Sequence, residues 1–350
     1  MKWSLVPLTI AAFLMGHSPV SAQPTAGPPL VRAADWEAYK SRFLESSGRI
    51  IDDANGNISH SEGQGYGLLL AVMAGSRPDF DLIWSFTRDE LLLRNDGLAA
   101  WKWDPSTSPH VTDPNNATDG DLLIAYSLAL AAKEWQAPEF ATTAARMADT
   151  IAQTGVTENQ GKLIILPAAT GFSAEDRPDG PVVNPSYWIF ETFPVLGELS
   201  RDPAWGKLSE DGLSILRQSS MGPRKLPPDW VSLHTMPKPA KGFEPEFGYN
   251  ALRVPLYLVR AGILDRELLA GYAAGMSVQG GVATSNIDTG EPRDTLTDPG
   301  YRIIPALVAC ALDKKPIPED LKTFTPTLYF PSTLQLLALS HLAEHPEQCP

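Results

Sequence analysis

Ile58-Ser59-His60-Ser61-Glu62-Gly63-Gln64-Gly65-Tyr66-Gly67 runs directly into the apolar stretch Leu68 to Met73. The apolar run predicts a helix over about residues 60–75, yet three of its first residues are glycines, each opposing helix formation by up to about 1 kcal/mol relative to alanine. Something other than helix propensity selects them. A residue without a side chain lets a second helix or a ligand come close to the backbone, so the segment reads as a helix whose first turns are pressed against a neighbour. Glu62 stands near the positive pole of that helix, where a carboxylate is favoured. The spacing Ser59-x-x-Glu62 is also that of a capping box. Taken alone, Glu62 needs no more than that structural role; a catalytic one requires a second carboxylate, aromatic platforms and loops around them.

Outward from this segment, apolar residues recur at helical spacing almost to the C-terminus. Trp36, Tyr39 and Phe43 mark one face of a first helix. Further helices are predicted at about 60–75, 79–94, 119–135, 138–154, 186–199, 203–218, 246–262, 264–276, 299–313 and 331–345, with a weaker one near 317–323, about twelve in all. Breakers such as Gly75 with Pro78, Pro138, Gly155, Pro203, Gly262 and Pro331 fall at the joints. Long loops rich in Pro, Gly and Asp, at about 95–118, 156–185, 219–245 and 277–298, alternate with short ones, and structured loops of that length are more often binding loops than connectors. The pattern predicts an all-α fold of antiparallel helix pairs, an inner layer backed by an outer one and closed into a ring. An irregular bundle is the alternative. Strand character is confined to Leu163–Leu166 and a few loop segments, read as a hairpin outside the core.

Composition narrows the function. A hydrophobic fraction of 43% with 20% charged residues is enough to build a sizeable core. The formal charge of −13, with no basic stripe, argues against a nucleic-acid partner. Lys2, the apolar run Trp3 to Met15 and the small residues ending at Ala22 form a secretory signal pattern. The expected organisation is a signal peptide over 1–22, an N-terminal tail over 23–34 and one catalytic domain over 35–350. The mature protein is expected to be secreted or periplasmic, with no membrane span. Cys310 and Cys349 are the only cysteines; export permits a bridge between them, and a buried free thiol at Cys310 is equally reasonable.

A second cluster of acids opens another predicted helix: Ala117-Thr118-Asp119-Gly120-Asp121, followed by Leu122 to Tyr126. Thr118 or Asp119 suits an N-cap, but two aspartates two apart exceed what capping requires and project in different directions. Asp119 is expected to face a cleft and Asp121 to support it. Loop aromatics lead to these acids, as Trp101-Lys102-Trp103, Tyr187-Trp188 and Asp229-Trp230. Aromatic faces beside carboxylates suit a sugar groove, because the apolar face of a pyranose stacks on a ring while its hydroxyls bond to acids and amides. Recurrence in several loops favours a polymer. Glycoside hydrolysis needs one protonated carboxyl and a second group to handle the nucleophile. Motifs for phosphate-loop, serine-elbow and zinc-protease chemistry are missing from the sequence, and the six histidines are scattered, so neither metal nor cofactor is expected.

These segments resemble glycoside hydrolase family 8, in particular bacterial endoglucanases associated with cellulose synthesis. The resemblance runs from about Trp36 to about Leu342. It is carried by residues 59–67 and 117–121, with support from Trp101-Lys102-Trp103, Asn184-Pro185-Ser186-Tyr187-Trp188, Pro228-Asp229-Trp230 and Tyr249-Asn250-Ala251-Leu252-Arg253-Val254-Pro255. It implies an (α/α)6 barrel and inverting hydrolysis of β-1,4-glucan, in or near a cellulose synthase complex. It further implies Glu62 as general acid, Asp119 as the sugar-positioning aspartate, and cleft positions at Trp101, Trp103, Tyr187 and Arg253; Tyr66, Asp121, Trp188, Asp229 and Tyr249 are further candidates for binding substrate. One departure stands out: many members carry an aspartate base where this chain has Asn250, and an amide takes no proton from water at ordinary pH. Asp119 is the first candidate for a replacement base, with Glu244, Glu246, Asp229 and Asp294 behind it. A catalytically impaired glucan-binding protein, or a hydrolase of xylan, chitosan or mixed-linkage glucan, are the other readings.

Overall fold

A computed structural model describes residues 28–349; the expected signal peptide and the start of the tail lie outside the described residues. Twelve α-helices occur among them: α1 (Ala33–Phe43), α2 (Ser61–Met73), α3 (Arg77–Phe86), α4 (Thr118–Glu134), α5 (Pro138–Thr154), α6 (Thr192–Ser200), α7 (Ala204–Ser219), α8 (Val254–Arg260), α9 (Arg266–Met276), α10 (Pro299–Asp313), α11 (Glu319–Lys322) and α12 (Tyr329–Glu344). The even-numbered helices pack on one another in sequence except between α6 and α8, and α12 returns to α2, which closes the ring. Between α6 and α8 the ring is joined by two 3-10 turns, Pro185–Tyr187 and Ala251–Arg253. Each odd-numbered helix backs a neighbour from outside, α1 packing on α12. This is an (α/α)6 barrel.

The two layers follow from where the apolar residues lie. An outer helix such as α5 buries one stripe, Phe140, Ala144, Met147, Ala148 and Ile151, at the 3-4 spacing of a single face. An inner helix has neighbours on all sides, and α2 buries every residue except Glu62 and Val72. The glycines of α2 serve that crowding. A Cβ on Gly65 would stand 2.5 Å from the Cβ of Leu123 and 3.2 Å from the backbone nitrogen of Ile124 on α4. Gly65→Ala is therefore expected to lower stability in a denaturant titration by about 1–3 kcal/mol through overpacking, although alanine by itself favours a helix by about 1 kcal/mol. An unchanged or raised midpoint would show that α4 yields freely.

Three local readings need correction, and one left open is settled. The segment read as one helix over 246–262 begins with a short strand, Glu246–Phe247, and a tight loop before α8, because the Asp229 carboxylate takes the N–H groups of Gly248 and Ala251 that a helix would use. Residues 186–199 likewise divide into the Pro185–Tyr187 turn and α6. Strand content is also larger than one hairpin. Val156–Asn159 pairs with Lys162–Ile165 as expected, but Gly281–Asn286 centres a four-stranded sheet with Ser277–Val278, Pro292–Leu296 and Glu246–Phe247. That sheet lies in the loops, not within the ring. Cys310 and Cys349, left open by the sequence, are joined in a disulfide that ties the C-terminus to α10. No helix of the described residues is long and apolar enough to cross a membrane.

Candidate active site

The mouth of α2 is fixed by the strand that precedes it. Ser59–His60 pairs with Lys102–Trp103, and the Ser61 N–H donates to the Trp101 carbonyl at 3.0 Å. The expected capping box does not form: Ser59 instead donates to the Ile50 carbonyl, and His60 is the N-cap, its Nδ1 accepting from the Gly63 N–H at 2.9 Å. Gln64 carries the other half of the anchoring. It accepts from the Ile50 N–H and donates to Thr87 Oγ1, where α3 widens into a π-helical turn, Thr87–Leu91. Opposite, α4 begins so close that a Cβ on Gly120 would lie 2.7 Å from the Glu62 nitrogen. Two glycine-bearing helix starts thus bring Glu62 and Asp119 together.

Arg253, 1% exposed, organises them. Its Nη1 donates to Glu62 and its Nη2 to Asp119 at 3.0 Å, to Ser186 Oγ at 3.0 Å and to Asn250 Oδ1 at 3.4 Å. Glu62 and Asp119 stand close enough for each to act on the proton affinity of the other. Burial raises the Glu62 carboxyl, but the charges of Arg253 and His60 outweigh it, leaving Glu62 below its ordinary range. Burial and then the Glu62 charge push Asp119 up to about 8, against Arg253 and the Gly120 N–H. Of the two carboxyls, Asp119 is therefore the one that holds a proton more readily.

These directions weigh against Asp119 as the replacement base. A protonated carboxyl cannot accept a proton from water, and an inverting pair needs about 6.5–9.5 Å between its carboxyls. The proton also leaves a trace in stability. The folded-state affinity of Asp119 exceeds the unfolded one, so its contribution is full below the unfolded value, near 3.9, and is lost as pH rises through about 8. Asp119→Asn mimics the protonated form, and its unfolding midpoint relative to the native protein is expected to rise between pH 5 and pH 9. Parallel midpoints across that range would refute the assignment of the proton.

The cluster opens into a trough with a cavity volume of about 650 Å³. Of the residues picked from sequence, Glu62, Trp101, Asp119, Tyr187, Tyr249, Asn250 and Arg253 line it. Tyr249 is 46% exposed and stands open to a ligand. Ser61 Oγ, Arg253 Nε and the Tyr329 hydroxyl are buried polar atoms of trough-lining residues without a protein partner.

Other picks lie elsewhere. Tyr66 is buried beneath the acids, its hydroxyl bonded to that of Tyr257. Trp188 packs in the core against Gly212, which has no side chain to exclude it. Trp103 donates to Glu90 and stacks with His110 beside the trough. Asp121 holds the Ala99 N–H and Asn116, and burial lifts its carboxyl to about 7. Trp230 is sandwiched between Phe172 and Phe243 behind Tyr187. Glu244 and Glu246 pair with Arg293 on the loop sheet, and Asp294 belongs to a strand of the same sheet; none of the three lines the trough.

Asp229 lies behind Asn250 and accepts its side-chain amide at 3.2 Å. Sequence reading missed Asp52, Tyr301, Tyr329 and Phe330, which complete the lining. Tyr329 and Phe330 read as the apolar start of a core helix, and no local pattern separates them from one. Asp52 pairs with His60 at 3.5 Å, and only its nearness to residues 58–67 in the chain signalled it.

Comparison with known proteins agrees with this geometry. Residues 6–268 match the family model of glycosyl hydrolases family 8. An endoglucanase of Cellulomonas uda is 40% identical over 64% of this chain and 62% of its own length, so the match spans somewhat under two thirds of that relative. A probable endoglucanase of Novacetimonas hansenii is 35% identical over 69% of this chain and 70% of its own. Among solved structures, the family 8 endoglucanase Cel10 of Klebsiella pneumoniae superposes with a TM-score of 0.79 at 34% identity, covering 90% of this chain and 99% of that one. The endo-β-1,4-glucanase CMCax of Acetobacter xylinum gives 0.79 at 31%, covering 90% and 98%. With the barrel, the trough and these matches together, the chain belongs to glycosyl hydrolases family 8.

Proposed function

We propose that this glycoside hydrolase is an endo-β-1,4-glucanase that cleaves internal bonds of cellulose-like chains with inversion, Glu62 protonating the leaving oxygen. The observation that carries the reading is the Glu62 carboxylate, 16% exposed, in an open trough that Trp101 and Tyr249 also line, with the raised carboxyl of Asp119 beside it. A sugar hydroxyl that takes over the Arg253 contact raises the proton affinity of Glu62. A proton held by Asp119 then passes to Glu62, where it faces the scissile oxygen. Asp119, once ionised, steadies the positive charge that develops on the sugar.

The test is hydrolysis of carboxymethylcellulose and cellohexaose by the purified protein, with the first product anomer read by NMR. Rapid loss of viscosity with α-anomer released first is expected. The β-anomer first would reject inversion. Binding of cellohexaose with no release of reducing ends would favour the glucan-binding reading that Asn250 raises. Faster hydrolysis of xylan, chitosan or mixed-linkage glucan would move the substrate. Export by the segment 1–22 and a part in making cellulose, beside a synthase complex, belong to the same proposal. Retention of the protein in the cytoplasm of a bacterial host would count against both.

A further inference from the structure

Asn250 occupies the trough in an orientation its neighbours dictate. A guanidinium only donates and an ionised carboxylate only accepts. With Arg253 Nη2 at 3.4 Å on one side and Asp229 Oδ2 at 3.2 Å on the other, the amide must turn its oxygen to Arg253 and its nitrogen to Asp229. The oxygen has a second lone pair, and Asn250 is among the residues that line the trough. Asp229 accepts from Gly248 N and Ala251 N, each at 2.9 Å, and from Asn250 N at 3.3 Å. With the amide, four donors face it and none accepts, so it rests as an anion. It is buried and does not itself line the trough.

From this chain of contacts we propose that Asn250 and Asp229 together replace the missing carboxylate base, the amide passing a proton from the attacking water to Asp229. The proposal rests on the hydrolase reading above and supplies its unassigned half. The water oxygen forms its bond to the anomeric carbon as the glycosidic C–O bond breaks, and the leaving oxygen takes the proton of Glu62. The water gives one proton to Asn250 Oδ1 while the Nδ2 proton moves to Asp229 Oδ2. The products are a hemiacetal, an ionised Glu62, a neutral Asp229 and the imidic-acid form of Asn250. Return of the Asp229 proton to Nδ2, with loss of the Oδ1 proton to water in the open trough, restores the amide. The Glu62–Asp119 pair regains one proton from solvent, and no other reactant is needed.

Burial gives Asp229 more proton affinity than an ordinary carboxylate, in opposition to its backbone donors and Asn250, which suits a terminal acceptor. Asp52 is the rival, being the one other carboxylate that lines the trough besides Glu62 and Asp119. It faces His60 Nε2 at 3.5 Å and accepts from Ala54 N at 3.2 Å, with no link to Asn250 or Arg253.

The experiment is a cycle of the native protein, Asp229→Asn, Asn250→Asp and the double variant, with Asn250→Ala and Asp52→Asn beside them. For each, kcat and KM on cellohexaose are measured from pH 4 to pH 9. Asp229→Asn and Asn250→Ala are each expected to lower kcat at least a hundredfold with KM changed less than fivefold. Asn250→Asp is expected to raise kcat and to move the acidic limb of its pH profile. In the Asn250→Asp background the loss caused by Asp229→Asn is expected to be at least tenfold smaller, because the base then meets the water directly. Equal losses in both backgrounds would make Asp229 a loop-shaping residue and overturn the relay. So would native kcat in Asn250→Ala, or loss of the acidic limb in Asp52→Asn alone. If the native protein releases no sugar from any of the four polymers, the hydrolase reading falls and the relay with it; if it hydrolyses and the cycle shows no coupling, only the relay falls.

Discussion

Glu62→Gln is expected to reduce kcat on carboxymethylcellulose by about 10²–10⁴-fold, the usual contribution of a general acid, while the circular dichroism spectrum and cellohexaose affinity stay within a few-fold of native. The isostere keeps an oxygen for Arg253 Nη1 and fills the same volume at the mouth of α2. What it loses is the exchangeable proton that the leaving oxygen requires. A second effect follows from the pull of the Glu62 charge on Asp119. The Glu62 charge is, after burial, the strongest force raising Asp119, and its removal lowers the Asp119 affinity toward the ordinary carboxylate range. The variant is then expected to keep its stability at alkaline pH better than the native protein does. Full activity in Glu62→Gln would end the assignment; an unchanged pH dependence of stability would separate Glu62 from Asp119.

The sequence showed the ring and one wall of its site for different reasons. Helical spacing marked the helices and the alternation of short and long loops implied paired layers, whereas which helix is inner shows only in the burial, α2 and α4 being enclosed all round and α5 along a single stripe. Glycine among strong helix formers marked the mouth of α2 because only a close neighbour explains it, and the Gly65–Leu123 approach is that neighbour. Long-range pairing was hidden. Nothing near Arg253 in the chain tells that it serves two carboxylates 191 and 134 residues away. Trp188 and Tyr187 are adjacent in sequence, yet one fills the core and the other the trough, because successive side chains in a tight turn diverge. The helix over 246–262 failed for a local reason acting from a distance: Asp229 captured its first amides.

Arg253→Met should be the most damaging single change to the fold of the site. The guanidinium is buried between Glu62 and Asp119, and methionine matches its stem in length without its charge or donors. Removing one partner of a buried ion pair typically costs about 3–5 kcal/mol, because the charge left behind has neither water nor a counterion. Here two carboxyls and one proton remain. With the principal positive charge gone, burial and mutual repulsion raise both folded-state affinities above their unfolded values. The deficit relative to the native protein is therefore smallest at acid pH, where the unfolded chain keeps its carboxyl protons as well. It grows as pH rises, because the unfolded chain releases protons that the folded site must keep. Urea unfolding at pH 4, 7 and 9 measures this directly, and a deficit independent of pH would mean that only packing was lost. Arg253→Lys restores the charge as a single point. It cannot hold Glu62 on one nitrogen while another serves Asp119, Ser186 and Asn250, so most of the stability should return and little of the hydrolysis.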